Sequence, residues 1–255
     1  MSGPGAMRLV EVVGLTKRLG GRPALDAASF TVEEGEVLGL LGPAGAGKST
    51  CLGCLTGLLI PDGGRVIFDG RDVTGEAPER LARAGIAQAT ALPRRLCRST
   101  ALGVVDHAVR RARHPGLGRL LAGWLSPGVG AAALGLLERV GLAADADRRA
   151  GLLAAGPRRR LEVARALAAS PRLLLLDEPL AGLSPEEAVG VGELIAGLRR
   201  DGLTILLAAR RLPAAPGLVD RVVVLDRGAV VAPGRAGLAK SRLPGRGGVP
   251  AADAG

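Results

Sequence analysis

Apolar positions along the chain fall into short runs of two kinds, and their order predicts a mixed α/β protein. Leu9 to Val13 and Ser29 to Val32 read as two short strands, separated by a Gly20-Gly21 turn and an Ala-rich stretch. Glu36 to Leu41 reads as a buried strand, Gly42 to Gly47 as a glycine-rich loop and Lys48 to Leu59 as a helix. Strand, loop and helix in that order open a βαβ unit. Further strands are expected at Arg65 to Phe68, Gly85 to Ala87, Leu173 to Leu176, Thr204 to Leu207 and Val222 to Leu225. From about residue 91 to 156 the pattern is helical, which suggests an insertion between two parts of an α/β core. Residues 234–255 are dominated by Gly, Pro, Arg and Ala without periodicity. They read as a disordered or loosely attached tail, leaving 1–233 as the folded unit.

Composition narrows the function classes. The 255 residues are 47% apolar, enough for one large domain or two small ones. The aromatic side chains are Phe30, Phe68 and Trp124, so the core must be aliphatic. Three scattered rings cannot build a base-stacking platform or an aromatic cage. A net charge of +10 suggests an anionic partner. Yet the arginines scatter in short clusters such as Arg94-Arg95 and Arg158-Arg160, so no nucleic-acid surface is expected. Cys51, Cys54 and Cys97, with no signal-peptide pattern, fit a reducing compartment, with cytoplasm the default. The C-x-x-C at Cys51 and Cys54 lacks a second pair, and His107 and His114 lie far off in sequence. Both thiols read as small buried hydrophobes. Residues 120–137 carry no charge, but Ser126-Pro127-Gly128 interrupts them, which favours two short helices around a turn over a membrane span.

Two motifs carry chemistry. Gly42-Pro43-Ala44-Gly45-Ala46-Gly47-Lys48-Ser49-Thr50 fits G-x-x-x-x-G-K-[ST] in its strand–loop–helix setting. Its glycines let successive N–H groups converge on phosphate oxygens, and the following helix N-terminus adds a favourable dipole. Lys48 then reaches the β- and γ-phosphates and Ser49 ligates Mg²⁺. The second motif, Leu173 to Leu176 followed by Asp177, Glu178 and Pro179, delivers two carboxylates to the C-terminal edge of a sheet, where ligands of open α/β sheets bind. Asp177 suits the Mg²⁺ shell, and Glu178 suits the orienting and polarising of an attacking water.

With these motifs in place, residues 8–233 resemble the ATP-binding subunits of ABC transporters, and among them the ATPases of branched-chain amino-acid importers. The blocks TKRLGGRPALDAASFTVEEGEVLGLLGPAGAGKST, LTGLLIPDGGRVIFDGRDVTG and RRLEVARALAASPRLLLLDEPLAGLSPEE carry the resemblance. It implies a P-loop NTPase (RecA-like) core with a mixed sheet, an antiparallel β subdomain and a helical subdomain at about 91–156 that contacts a membrane partner. It further implies a head-to-tail dimer with a second ATPase subunit, integral-membrane permease subunits and a solute-binding protein. ATP and Mg²⁺ would be bound on the inner face of the cell membrane, with hydrolysis driving uptake.

Five positions depart from the family pattern. Leu19 stands where an adenine-stacking aromatic is usual, a loss of about 1–3 kcal/mol by analogy with base stacking. Gly85-Ile-Ala-Gln88-Ala-Thr-Ala91 replaces G-I-A-R-T-F-Q, so Ala91 occupies the Gln position and Gln88 lies three residues early. The signature L-S-[GY]-G-Q becomes Leu153-Ala154-Ala155-Gly156-Pro157, losing a hydroxyl whose bond to a γ-phosphate is worth about 1.5–3 kcal/mol. Pro157 lacks an N–H yet suits the first turn of a helix over 157–169. Arg210 replaces the switch His; it can bind phosphate but cannot copy a neutral imidazole. Ser184-Pro185-Glu186-Glu187 keeps the dimer loop in modified form and is equally a capping box.

These departures leave an alternative, an ATP-binding subunit impaired in turnover with a structural or regulatory role in a heteromeric complex. The retained Lys48 and Glu178 stand against it. A nucleic-acid-associated ATPase of the same superfamily would need a tandem second half or a coiled-coil insertion, and neither pattern is present.

Overall fold

The computed structural model describes residues 7–113, 128–211 and 217–235. The described residues form two sheets. The first is an antiparallel sheet of β1 (Arg8–Leu19), β2 (Arg22–Glu33), β4 (Gly63–Phe68) and β5 (Arg71–Asp72), in the order β2-β1-β4-β5. The second is a mixed sheet of β3 (Val37–Leu41), β6 (Ile86–Ala89), β7 (Leu173–Asp177), β8 (Thr204–Ala209), β9 (Arg221–Asp226) and β10 (Ala229–Arg235), in the order β10-β9-β3-β8-β7-β6. Pairing within it is parallel except between β9 and β10.

The continuous apolar runs at β3, β7 and β8 follow from burial on both faces of this sheet. On β7, Leu173 and Leu175 pack toward the antiparallel sheet and α1 (Lys48–Leu55), while Leu174 and Leu176 pack toward the helices opposite. That opposite layer contains α3 (Ala101–Arg113), α4 (Val129–Arg139), α5 (Ala155–Leu167) and α6 (Pro185–Arg200). The short α2 (Pro78–Ala84) leads into β6. Between β6 and α5 the named elements are helical, joined by an isolated bridge from Thr100 to Arg149.

Several boundaries differ from those the pattern predicts. The first two strands are each twelve residues long, because the hairpin pairs Leu19 with Arg22 and continues through the expected Ala-rich loop. Helix α1 stops at Leu55, since the left-handed Gly57 (φ +72°) turns the chain; a Cβ there would lie 2.3 Å from the Glu76 carbonyl oxygen. Gly85 (φ +108°) caps α2 and lies outside the strand, so β6 starts at Ile86. Helix α5 begins two residues earlier than expected and places Pro157 third in the helix. Its missing N–H costs nothing there, because first-turn amides have no intrahelical acceptor. Strand β10 runs to Arg235, two residues past the expected end of the folded unit; the expected tail from 236 onward lies outside the described residues. So does the first half of the uncharged run, whose second half enters α4. Among the described residues no helix is long and apolar enough to cross a membrane.

Cys51 and Cys54 lie on the buried side of α1. Burial pushes both thiols up, that of Cys54 to about 11, so neither is a thiolate at neutral pH.

Candidate functional site

The site forms where the C-terminal ends of β3, β7 and β8 meet the N-terminus of α1. The loop after β3 is tied to its surroundings by backbone: the Gly42 amide donates to Ala209 and the Gly228 amide to Ala46. The close fit explains two glycines. A Cβ on Gly42 would lie 2.2 Å from the Leu225 carbonyl oxygen, and one on Gly47 (φ +103°) would lie 2.3 Å from that of Ala24. No side chain caps α1, so its first-turn amides keep their capacity to meet an anion. Pro43, Ala44 and Gly45 are exposed at the rim, Ala46 is buried beneath them and Thr50 is half-buried on α1.

Lys48, only 6% exposed, folds back over this loop and donates to the carbonyls of Gly42 (2.8 Å) and Pro43 (3.0 Å). Its ammonium is also 3.8 Å from Glu178 Oε1. The Ser49 hydroxyl donates to Asp177 Oδ2 at 2.7 Å. Asp177 Oδ1 is buried and, among the described residues, has no hydrogen-bond partner. An orphaned carboxylate oxygen beside a hydroxyl fits a hard cation that prefers oxygen ligands, so these residues suit Mg²⁺.

Glu178 sits just beyond β7 in the left-handed region (φ +48°), with its amide donating to the Ala208 carbonyl of β8. A non-glycine residue there holds an uncommon backbone conformation, which over-determined sites tolerate. Arg210, the first residue after β8, brings Nε to 3.5 Å from Glu178 Oε1, the same oxygen that Lys48 approaches. The structure thus gathers Gly42 to Thr50, Asp177, Glu178 and Arg210 into one place.

Among the described residues no side-chain hydrogen bond or ion pair links the other sequence candidates to that cluster. Leu19 ends β1 at the tip of the hairpin and is 44% exposed. Gln88 is inside β6, in register with Leu175, so moving it to the loop would break the ladder to β7. Ala91 follows the strand and is exposed. Its neighbour Thr90 accepts from Arg165 of α5 through both its carbonyl (2.6 Å) and its hydroxyl (2.7 Å). Burial pulls the Arg165 pKa down. Nothing in the sequence pattern marks this pair, because 75 positions separate them.

Ala154 is the N-cap of α5 and supplies no side-chain cap. The second helical residue, Gly156, instead donates its amide to Glu187 Oε1 at 2.8 Å. Glu187 also completes the expected capping box of α6: the Ser184 amide donates to Oε2 (3.1 Å), and Ser184 Oγ accepts from the Glu187 amide (3.2 Å). Arg158 closes the segment from below by donating to the carbonyls of Gly151 and Leu153.

Residues 25–181 match the family model described as ABC transporter. The chain belongs to the ABC transporter family. Among ABC proteins it is 37% identical over 234 residues to the high-affinity branched-chain amino acid transport ATP-binding protein BraF of Pseudomonas aeruginosa, covering 89% of this chain and 91% of that one. It is 40% identical over 223 residues to the methionine import ATP-binding protein MetN of Caulobacter vibrioides, covering 87% of this chain and 65% of that one. A nucleotide-free ATP-binding cassette from an ABC transporter superposes with a TM-score of 0.81 at 31% identity, covering 90% of this chain and 92% of that one. The fold of this ABC ATPase is accordingly the α/β P-loop NTPase fold.

Proposed function

We propose that this ABC ATP-binding subunit binds Mg-ATP and couples its hydrolysis to uptake of branched-chain amino acids or related polar solutes. The observation that carries the reading is the meeting of Lys48 and Ser49 on α1 with Glu178 and Asp177 at the end of β7. The backbone amides of Gly42 to Gly47 and the first turn of α1 cradle the phosphates, Lys48 reaches the β- and γ-phosphates, and Leu19 lies under the adenine. Mg²⁺ would be held by Ser49 Oγ and Asp177, and supplies positive charge to the phosphoryl oxygens when bound. Glu178 accepts a hydrogen bond from water and aligns it for attack on the γ-phosphorus, yielding ADP and inorganic phosphate.

The names of the relatives support a reading of the partners. BraF and MetN are named as transport or import ATP-binding proteins. The chain is read as docking on permease subunits at the cytoplasmic face of the membrane through its helical subdomain, with a solute-binding protein in the full complex. A second ATPase subunit would pair head to tail, with segment 153–157 facing that subunit's nucleotide. A second reading, a subunit that binds ATP but turns over slowly, is favoured by Ala91, by the cap-less Ala154 and by Arg210 beside Glu178.

Calorimetric titration of the purified chain with Mg-ATP, and phosphate release with and without co-expressed permease subunits, test both readings. Binding with release places the chain in the first, and binding without release in the second. Failure to bind Mg-ATP under either condition overturns both.

A further inference from the structure

We propose that Glu187 is a positioning residue for the ATPase reaction, holding segment 153–157 at a fixed place against the start of α6. One carboxylate serves two helices. Oε1 accepts from Gly156 in the first turn of α5, and Oε2 accepts from Ser184 at the N-cap of α6.

Local sequence explains why α5 needs a cap from elsewhere. Ala154 has no side-chain oxygen to turn back onto the helix, and Pro157 has no N–H. Gly156 supplies the first-turn amide that an external acceptor grips. Its lack of a side chain makes the approach possible, since a Cβ at Gly156 would lie 2.9 Å from the Glu187 Cβ. Two N–H donors aimed at the carboxylate lower its pKa, so Glu187 is ionised at neutral pH and both oxygens act as acceptors. A helix start held from its own N-cap could shift relative to α6. One held by Glu187 cannot move without breaking its bond to a carboxylate whose other oxygen closes the α6 capping box. Glu187 thereby converts the positions of two helix N-termini into a single one, and among the described residues no hydrogen bond or ion pair joins it to the phosphate loop or to Glu178.

The inference rests on the reading that segment 153–157 faces a partner's nucleotide, and the test separates the two. Glu187→Ala removes both acceptors, whereas Glu187→Gln keeps the shape with a single acceptor oxygen. In the full chain with its permease and ATPase partners, E187A is expected to lower kcat about tenfold, the loss of roughly one charged hydrogen bond, and E187Q to lower it less. The affinity of the isolated chain for Mg-ATP should stay within about twofold in both, because the phosphate loop is untouched. Ala154→Ser supplies a local acceptor for the Gly156 amide, so it should recover more turnover in the E187A background than in the wild type. Equal turnover in wild type and E187A overturns the proposal, as does an equal gain from A154S in both backgrounds. A wild-type complex without any turnover instead overturns the reading of segment 153–157 as a working half-site, and this role with it.

Discussion

The Ser49 hydroxyl donates to Asp177 Oδ2 across 2.7 Å although 128 positions separate the two residues. Asp177 Oδ1 is left buried beside it, without a hydrogen-bond partner among the described residues. Asp177→Asn keeps the volume and one acceptor but removes the charge. The expected result is ATP affinity about tenfold weaker or more with Mg²⁺ present, and little changed in a chelator. Calorimetric titration under both conditions checks it, and equal losses in the two would remove Asp177 from the metal site.

Glu178 is held by its amide to Ala208, with its carboxylate between Lys48 and Arg210. Glu178→Gln should retain Mg-ATP binding and lower phosphate release by about a hundredfold, the usual size of a lost general base. Unchanged release in the assembled complex would show that hydrolysis occurs at another subunit's site.

Leu19 offers an exposed aliphatic surface at the end of β1. Leu19→Tyr should tighten ATP about tenfold through base stacking, with a smaller gain for inorganic triphosphate. If both ligands gain equally, the adenine lies elsewhere.

Glu36 is buried, accepts from the Glu33 amide at 2.6 Å and forms a two-point ion pair with Arg221 at 2.7 and 2.8 Å. This pair fastens the start of β3 to the start of β9. Arg221→Ala leaves a buried carboxylate unpaired, and a loss of about 3 kcal/mol of unfolding free energy is expected from denaturant titration. A loss below about 1 kcal/mol would put the pair in the class of solvated surface bridges.

The amides of Gly156 and Ser184 hold the Glu187 carboxyl below the usual glutamate range. A depressed folded-state pKa means that the contribution is fully present above the unfolded value of about 4.3 and disappears as pH falls through the folded value. Protection of the Gly156 amide against hydrogen exchange should therefore be level from neutral pH down to about pH 5 and decline below about pH 4. The decline should be missing in Glu187→Gln.

Element types were legible in the sequence where burial imposes a pattern. Leu173 to Asp177 could not be mistaken for a surface strand, because both of its faces pack on apolar layers. Boundaries were less legible where backbone geometry decides them. Gly57 and Gly85 end helices by adopting left-handed conformations that apolar spacing does not reveal. The two long antiparallel strands also outran the pattern, since hairpin pairing recruits residues such as Ala28, opposite Leu15, that lack strand propensity of their own.

By itself the sequence determined the phosphate loop, the Asp177–Glu178 pair and the α/β order that places them at one sheet edge. These rest on local spacing and on the rule that parallel strands present their carboxyl ends together. Tertiary structure alone decided which distant groups share an atom. Lys48 and Arg210 converge on one oxygen of Glu178, Arg165 grips Thr90, and Glu187 caps a helix that begins 32 residues before it. Hydrogen bonds and ion pairs act over a few ångströms and leave no periodic trace in the chain, so contacts of this kind exist only once the layers have packed.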